Sequence, residues 1–212
     1  MPKIIHMELK RGRPERFIVH WDNGDITPFS PDTVLRYQFS IDREFDEEEL
    51  KPIFFEDEVR RAKDQILRYL AVRPHSRSEL FSKTIRKGYP PEAIDQALND
   101  LEQVKLIDDR QFAEQFIRTE MLLRPSSKRL LREKLLSRGV KRELVEELLE
   151  TLCPPQSQEE ALLYLIQKFW KANQRYQTKK RLEKLIRYLQ GKGFDWDLIQ
   201  WGIQELNLRE EE

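Results

Sequence analysis

The amino-acid sequence predicts a mainly α-helical fold. Tandem three-helix repeats stack into an elongated, curved array, and a small β-hairpin or meander forms an N-terminal extension. The first observation is a motif of a basic residue, a glycine and a bulky apolar residue. Its three copies are Lys87-Gly88-Tyr89, Arg138-Gly139-Val140 and Lys192-Gly193-Phe194. The glycines lie 51 and 54 residues apart (139 − 88 and 193 − 139), roughly the period of helical-repeat proteins.

The second observation is an apolar stripe that the three segments share when they are aligned on these glycines. A leucine stands eight residues before each glycine, at Leu80, Leu131 and Leu185. After each glycine, apolar residues recur at the steps of one, three and four residues that define one helical face. They are Ala93, Ile94, Ala97, Leu98 and Leu101, then Leu144, Val145, Leu148, Leu149 and Leu152, then Leu198, Ile199, Gly202, Ile203 and Leu206. Three stripes in one register indicate duplication.

The first 50 residues differ from the repeats, because short runs of strand-forming residues alternate there with turn signals. Residues 4–9 and 16–21 have the composition of strands, and the segment between them, residues 10–14, has that of a turn. A second turn precedes a third predicted strand at residues 25–29. Ser30-Pro31 indicates a helix start, and the acidic run at residues 46–49 suits the positive end of another helix. We assign residues 1–50 to a strand-rich extension with a short helix.

From residue 57 onward the sequence predicts three groups of three helices. In the first group, one helix covers residues 58–72, a second runs from Ser76 to Gly88, and Pro90-Pro91 opens a third that ends near residue 105. Ser76 and Glu79 have the spacing of a capping box, and Gly88 suits the left-handed conformation that ends many helices. The predicted repeats span residues 57–106, 107–153 and 157–207.

Corresponding signals mark the other two repeats. Asp108-Asp109 is a favourable N-cap pair for the first helix of the second repeat. That repeat breaks at Arg124-Pro125, resumes at Ser126-Ser127, breaks again at Gly139 and ends at Cys153-Pro154-Pro155. The third repeat is predicted to form helices over residues 157–172, 178–191 and 195–207.

Charge alternates along the repeats, although 38 basic and 38 acidic residues give a formal net charge of zero. Counted along the sequence, residues 124–142 contain eight Lys or Arg and one Glu, and residues 168–192 contain nine Lys or Arg and one Glu. Residues 143–160, in contrast, contain six acids and no Lys or Arg. The second helix of each repeat is therefore basic and the third is acidic. Second helices on one side of the stack would form a basic track suited to a phosphate backbone or an acidic protein surface.

Composition excludes several classes of protein. No apolar run approaches the roughly 20 residues of a membrane-spanning helix, and the N-terminus lacks the apolar core of a secretory signal. Cys153, the only cysteine, is predicted to be a free structural thiol in a reducing compartment. His6, His20 and His75 lack metal-ligand spacing, although the first two could pair across the hairpin. With no phosphate-binding glycine loop and no nucleophile motif, we predict no enzyme activity, no metal and no cofactor.

Three segments of the repeats carry a family signature. They are Ala71-Val72-Arg73-Pro74-His75-Ser76-Arg77-Ser78-Glu79-Leu80, Leu106-Ile107-Asp108-Asp109-Arg110-Gln111-Phe112-Ala113, and Arg138-Gly139-Val140 with Glu143-Leu144-Val145. These segments resemble the RecX family, bacterial regulators of the RecA recombinase. The resemblance covers residues 57–207. It is specific in the first two repeats and looser in the third, where Tyr188 replaces a lysine at the matching position.

The resemblance implies a non-enzymatic regulator of recombination, DNA repair and the SOS response. Such a protein binds the RecA–single-stranded-DNA filament without sequence specificity, along its groove or at its growing end, and limits strand exchange and ATP hydrolysis. It would be cytoplasmic, and we expect a monomer. The basic positions that match the repeats are the predicted filament- or DNA-binding residues: Arg77, Lys83, Lys87, Lys128, Arg129, Arg132, Lys134, Arg138, Lys179, Lys180 and Lys184. Asp108 and Asp109 are predicted helix caps, with a partner contact as the alternative.

Two other functions fit parts of the sequence. A second helix, a glycine turn and a third helix are similar in order to the helix-turn-helix of DNA-binding proteins. However, the third helices carry acids, such as Glu92, Asp95, Glu143 and Glu146, which DNA phosphates would repel. A helical-repeat scaffold for protein interactions, with no nucleic-acid role, is the other alternative. It predicts that the basic residues have no function in filament assays.

Overall fold

A three-stranded antiparallel sheet begins the chain, as predicted. In the computed structural model, which describes residues 1–12 and 15–208, β1 (Ile4–Lys10), β2 (Arg16–Trp21) and β3 (Ile26–Phe29) lie in the order β1-β2-β3. The predicted turn at residues 10–14 includes residues 13 and 14, which lie outside the described part. His6 is opposite His20 in the register of β1 and β2, and their ring centroids are 5.3 Å apart. The predicted cross-strand histidine pair is confirmed.

The sheet packs on α1 (Pro31–Arg36) and on the start of α2 (Glu47–Leu70). Their common core is aromatic, with Trp21 in edge-to-face contact with Phe29, Phe39 and Phe45. Asp57 of α2 is buried, and its Oδ1 accepts hydrogen bonds from the Ser30 backbone N–H (2.7 Å) and the Thr33 hydroxyl (2.8 Å). These bonds satisfy polar groups at the start of α1, which burial would otherwise leave unpaired.

Two predicted helices, one starting at residues 46–49 and one over residues 58–72, are a single helix, α2. Asp46 caps its first turn, and Pro52 lies inside it without ending it. Leu50 and Ile53 are buried in the core of the sheet, whereas Ala62 and Ile66 are buried in the next core along the chain. Because one continuous helix buries apolar residues in both cores, packing outweighs the backbone hydrogen bond that proline removes.

Three groups of three helices follow, each around its own core. Leu80, Leu131 and Leu185, the leucines that align in the sequence, have no exposed surface in these cores. The tandem three-helix architecture is therefore confirmed. Its remaining helices are α3 (Arg77–Ile85), α4 (Pro91–Gln103), α5 (Asp109–Leu123), α6 (Lys128–Leu136), α7 (Arg142–Leu152), α8 (Pro155–Ala172), α9 (Thr178–Gly191) and α10 (Trp196–Glu205).

Helix ends follow the predicted signals, with shifts of one to three residues. Ser76 Oγ accepts from the Glu79 N–H at 3.1 Å, and the Ser76 N–H donates to Glu79 Oε2 at 3.4 Å, which confirms the capping box. Helix α4 ends at Gln103 because Lys105 adopts a left-handed φ of 56°, a conformation usually left to glycine or asparagine. Helix α8 begins at Pro155 instead of residue 157, in accordance with the preference of proline for the first helical position.

The described chain forms two compact units. The first contains Met1–His75 and Leu80–Ile107, and the second contains Ser76–Glu79 and the chain from Asp108 onward. The first turn of α3 therefore belongs to the second unit. None of the helices in the described ranges combines the length and the apolar composition that crossing a bilayer requires.

Candidate functional site

The first turn of α3 meets the end of α6 within the second unit. The Ser76 hydroxyl donates to the Arg138 carbonyl oxygen, and the Arg77 backbone N–H donates to Asp109 Oδ1 at 2.8 Å. A Cβ atom added at Gly139 would overlap the side chain of Ser78. We call this set of contacts, made by Ser76–Glu79 with Asp109 and the Arg138-Gly139 turn, the first joint.

The start of α6 meets the end of α9 in the same way. The Ser127 N–H donates to the Lys192 carbonyl oxygen at 3.0 Å, and the Lys128 N–H donates to Gln158 Oε1 at 2.6 Å. A Cβ atom added at Gly193 would overlap the Ser127 hydroxyl and lie 2.9 Å from Leu130 Cβ. We call these contacts the second joint.

The glycines that follow α6 and α9 have two structural roles at the joints. Gly139 and Gly193 have φ values of 73° and 84°, which end α6 and α9 in the left-handed conformation. Their missing side chains also leave room for the start of the preceding second helix. Gly88 has a φ of 85° but nothing within 4 Å of an added Cβ atom. It therefore supplies the left-handed conformation after α3 but leaves room for no neighbouring helix.

The second joint also brings basic residues of two helices together. The Arg129 guanidinium donates through Nε to the Gly193 carbonyl oxygen at 3.2 Å. Lys128 and Arg129 at the start of α6 therefore lie beside the turn at Lys192, which ends α9. The predicted basic residues of α6 and α9 thus meet at one point of the second unit.

Most of the other predicted basic residues of α6 are paired with carboxylates. Arg132 donates from Nε and Nη2 to both oxygens of Glu146, at 2.6 and 2.8 Å, and Lys134 forms an ion pair with Glu120. Arg138 Nε lies 3.8 Å from Glu79 Oε1. The Arg132 guanidinium lowers the pKa of Glu146, mainly through their hydrogen bonds. Arg132 and Lys134 therefore stabilise the second repeat from inside it, whereas Arg138, which follows α6, pairs across the first joint.

The predicted basic residues of α9 have aromatic neighbours instead. Lys184 Nζ lies 3.6 Å from the ring centroid of Tyr176, and Lys180 Nζ lies 6.0 Å from it. The Arg175 guanidinium carbon is 5.0 Å from the same centroid, and Lys179 is exposed. Lys184, followed by Arg175, lowers the pKa of the Tyr176 phenol through hydrogen bonding and positive charge.

The predicted basic residues of α3 fall in two environments. Lys83 Nζ donates to His75 Nε2 at 2.6 Å and lies 5.1 Å from the ring centroid of Tyr69. His75 is buried, and its Nδ1 is 2.8 Å from the Arg73 carbonyl oxygen, so Nδ1 is the donor there and Nε2 accepts from Lys83. Lys87, in contrast, is exposed.

The two predicted aspartates cap helices. Asp108 Oδ1 accepts from the backbone N–H groups of Arg110 (2.8 Å) and Gln111 (3.0 Å), which confirms its N-cap assignment. Asp109 starts α5 and accepts from Arg77 across the first joint. The predicted cap of α5 is therefore Asp108, whereas the Asp109 carboxylate bonds to the start of α3, and contact of either residue with a partner stays a prediction.

No metal or nucleophilic centre stands out in the described ranges. They contain no group of three or more His, Cys, Asp or Glu side chains that could hold a metal ion. The Cys153 thiol is 1% exposed, and burial raises its pKa, so the reactive thiolate is disfavoured. The prediction of a free cysteine is confirmed, and the structure adds that this thiol is buried.

Sequence reasoning missed the aromatic and acidic partners. Tyr176 and Arg175 lie before α9, outside the aligned helices, and only the presence of one tyrosine among the basic residues at positions 175–180 could have indicated them. Glu120 and Glu146 lie on α5 and α7, where they are ordinary surface acids by sequence. Nothing in their local spacing indicates which cation they meet.

Three family models match this chain in the order of its helices. The first RecX three-helix domain matches residues 62–101, the second matches residues 108–149, and the third matches residues 157–201. Each match starts within the first helix of a three-helix group, or at its N-cap in the second group, and ends within the third helix.

Curated proteins and solved structures agree with these matches. Regulatory protein RecX of Clostridium botulinum (strain Alaska E43 / Type E3) is 26% identical, with 97% of this chain and 96% of that protein covered. The corresponding protein of Halalkalibacterium halodurans is 27% identical, with 100% of this chain and 81% of that protein covered. A crystal structure of regulatory protein RecX has the same fold, with a TM-score of 0.67 at 22% identity over 94% of this chain and 98% of that one.

Proposed function

The chain belongs to the RecX family of regulatory proteins, and on this premise we propose that it binds the RecA–single-stranded-DNA filament and inhibits strand exchange and ATP hydrolysis. The signature segments of the first two repeats support the RecA filament as the partner. A regulatory role follows from the family itself. The proposal includes a cytoplasmic monomer that controls recombination, DNA repair and the SOS response.

The observation that carries the proposal is the repeated basic second helix. Nucleoprotein filaments present phosphates and protein surface in a regular repeat, and a protein with repeated domains can match such a spacing. In the second unit, the joint at Gly193 places the basic start of α6 beside the end of basic α9. The stacking of all three repeats into a curved array stays a prediction, as does a role in capping filament ends or in coating the groove.

The test is the rate of RecA-driven ATP hydrolysis on single-stranded DNA. We expect the purified chain to lower this rate at substoichiometric amounts, because one bound regulator would affect many RecA protomers of a filament. Charge reversal of one cation on or just after each second helix, K87E/K128E/K179E, should weaken inhibition, and more so as salt rises, because screening weakens the remaining contacts.

A matched control separates this effect from net charge. Lys10, Arg68 and Lys105 are exposed and lie outside the second helices, so K10E/R68E/K105E changes the total charge by the same amount. This control should inhibit like the unmodified chain. Inhibition that neither triple variant weakens would favour the scaffold alternative, and no inhibition by the unmodified chain would refute the proposed function.

A further inference from the structure

Among the residues that the structure describes, the basic stretch of the third repeat has no acidic partner. It contains nine Lys or Arg residues and one Glu between residues 168 and 192. Within the described ranges, none of the nine has a carboxylate oxygen within the 4.0 Å of an ion pair. The second repeat differs, since Arg132, Lys134 and Arg138 all have such a partner. Unpaired like charges repel, so this surface is suited to an anionic ligand.

Three of these cations converge on one side chain, Tyr176, in the connection between α8 and α9. Lys180 and Lys184 lie four residues apart on α9, hence on one helical face, and Arg175 approaches from the connection. Their charged groups are 6.0, 3.6 and 5.0 Å from the centroid of the Tyr176 ring. We call Arg175, Tyr176, Lys180 and Lys184 the tyrosine cluster.

An aromatic ring positions cations without neutralising them. The electron-rich face of tyrosine attracts an ammonium or guanidinium group through its quadrupole, but it carries no formal negative charge. A carboxylate, as at Arg132 and Glu146, would cancel the charge of its partner. The lowered pKa of the Tyr176 phenol is consistent with a positive potential at this point.

We propose that the tyrosine cluster binds the phosphodiester backbone of single-stranded DNA, and that the carboxylate-paired cations of α6 do not. This inference deepens the proposed function, because it assigns the DNA contact of the regulator to the third repeat. A phosphate offers several strong acceptor oxygens to the three converging cations. Lys128 and Arg129 lie at the opposite end of α9, at the second joint, so cations stand at both ends of this helix, as contact with a polymer of regularly spaced phosphates requires. An isolated acidic patch on a protein requires no such continuation.

The test is direct binding of a fluorescein-labelled oligo-dT to the full chain without RecA, followed by anisotropy over a range of salt concentrations. Replacing the three cations, in R175Q/K180Q/K184Q, should weaken binding on the order of tenfold or more at low salt. The slope of log K against log[salt] should become shallower by about 2, since each phosphate contact on a single strand contributes roughly 0.7.

The controls test separately whether a loss of binding comes from unfolding, from the change in net charge or from loss of the Tyr176 ring. K10Q/R68Q/K105Q removes the same charge elsewhere and should leave most of the affinity, as should the charge-conserving R175K/K180R/K184R. Y176F removes the phenol hydroxyl but keeps the ring, and should weaken binding less than Y176L, which removes both although every cation remains. Circular dichroism would verify that each variant has the helix content of the unmodified chain.

Two results would overturn the inference. One is an affinity and a salt slope for R175Q/K180Q/K184Q equal to those of the unmodified chain. The other is that R175Q/K180Q/K184Q binds DNA like the unmodified chain but no longer binds RecA in the absence of DNA. The ligand of the cluster would then be an acidic protein surface. Failure of the proposed function is distinguishable from both, because the unmodified chain would then bind oligo-dT but leave RecA ATP hydrolysis unaffected.

Discussion

The second and third repeats have the same three-helix architecture, but their basic side chains have different neighbours. In the second, α6 is flanked by acids of α5 and α7, and Arg132 and Lys134 pair with them. In the third, Lys180 and Lys184 of α9 face the ring of Tyr176. The difference teaches that a basic stretch of sequence is not by itself a positive surface. The side chains that surround each cation decide whether its charge stabilises the fold or remains available to a ligand.

The largest effect tests what the two repeats have in common, the joints. We expect Gly139→Ala and Gly193→Ala each to lower the free energy of unfolding by about 2–4 kcal/mol, because the alanine Cβ adds steric overlap to an unfavourable positive φ. Gly88→Ala is the matched control, with the same φ but open space, and should cost about 1–2 kcal/mol. Urea denaturation would measure all three, and equal losses would show that the joints contribute no packing.

A smaller effect tests how the repeats differ. Lys134→Met should lower the free energy of unfolding by about 1–3 kcal/mol, because it leaves Glu120, with a side chain only 14% exposed, without its cation. Lys184→Met should cost about 1 kcal/mol or less, since it removes a cation–π contact and leaves no charge unpaired. The same denaturation experiment compares the two. A greater loss for Lys184→Met would contradict the division between paired and available cations.

The smallest effect is a difference in acid sensitivity. The folded-state pKa of Glu146 is lowered by Arg132, so their pair stabilises the fold above the unfolded pKa of about 4.3, and this contribution is lost as pH falls through the folded pKa. Glu146→Gln should therefore lower stability at pH 7 by less than about 1 kcal/mol, with no difference from the unmodified chain at pH 2–3.

Glu183→Gln provides the comparison for this pH dependence. Glu183 is the single acid in the basic stretch of the third repeat and is exposed, with no ion pair among the described residues. Its replacement should leave the dependence of stability on pH as it is in the unmodified chain between pH 7 and pH 3. A change as large as that of Glu146→Gln would show that the two acids have equivalent surroundings.

The sequence by itself determined the features that depend on nearby residues. The apolar stripes at helical spacing predicted the cores, the capping box at Ser76 and Glu79 predicted the start of α3, and the glycines predicted where the second helices end. Each of these signals acts within about one helical turn, so the order of residues is sufficient. Among the predicted helices, only α2 differed in more than its end residues: two helices were predicted where the structure has one. Its apolar residues pack in two cores, and this packing outweighs the local signals for a break.

Only the tertiary structure decided which charges are paired and what the glycines are for. Arg132 and Lys134 meet carboxylates 14 positions away in the sequence, and the Ser76 hydroxyl meets a carbonyl oxygen 62 positions away. Such partners are set by the packing of neighbouring helices, and surface acids have no periodic spacing that would reveal it. Tyr176 lies outside the aligned helices, four and eight residues before Lys180 and Lys184, so its convergence with these cations depends on the conformation of the connection that precedes α9.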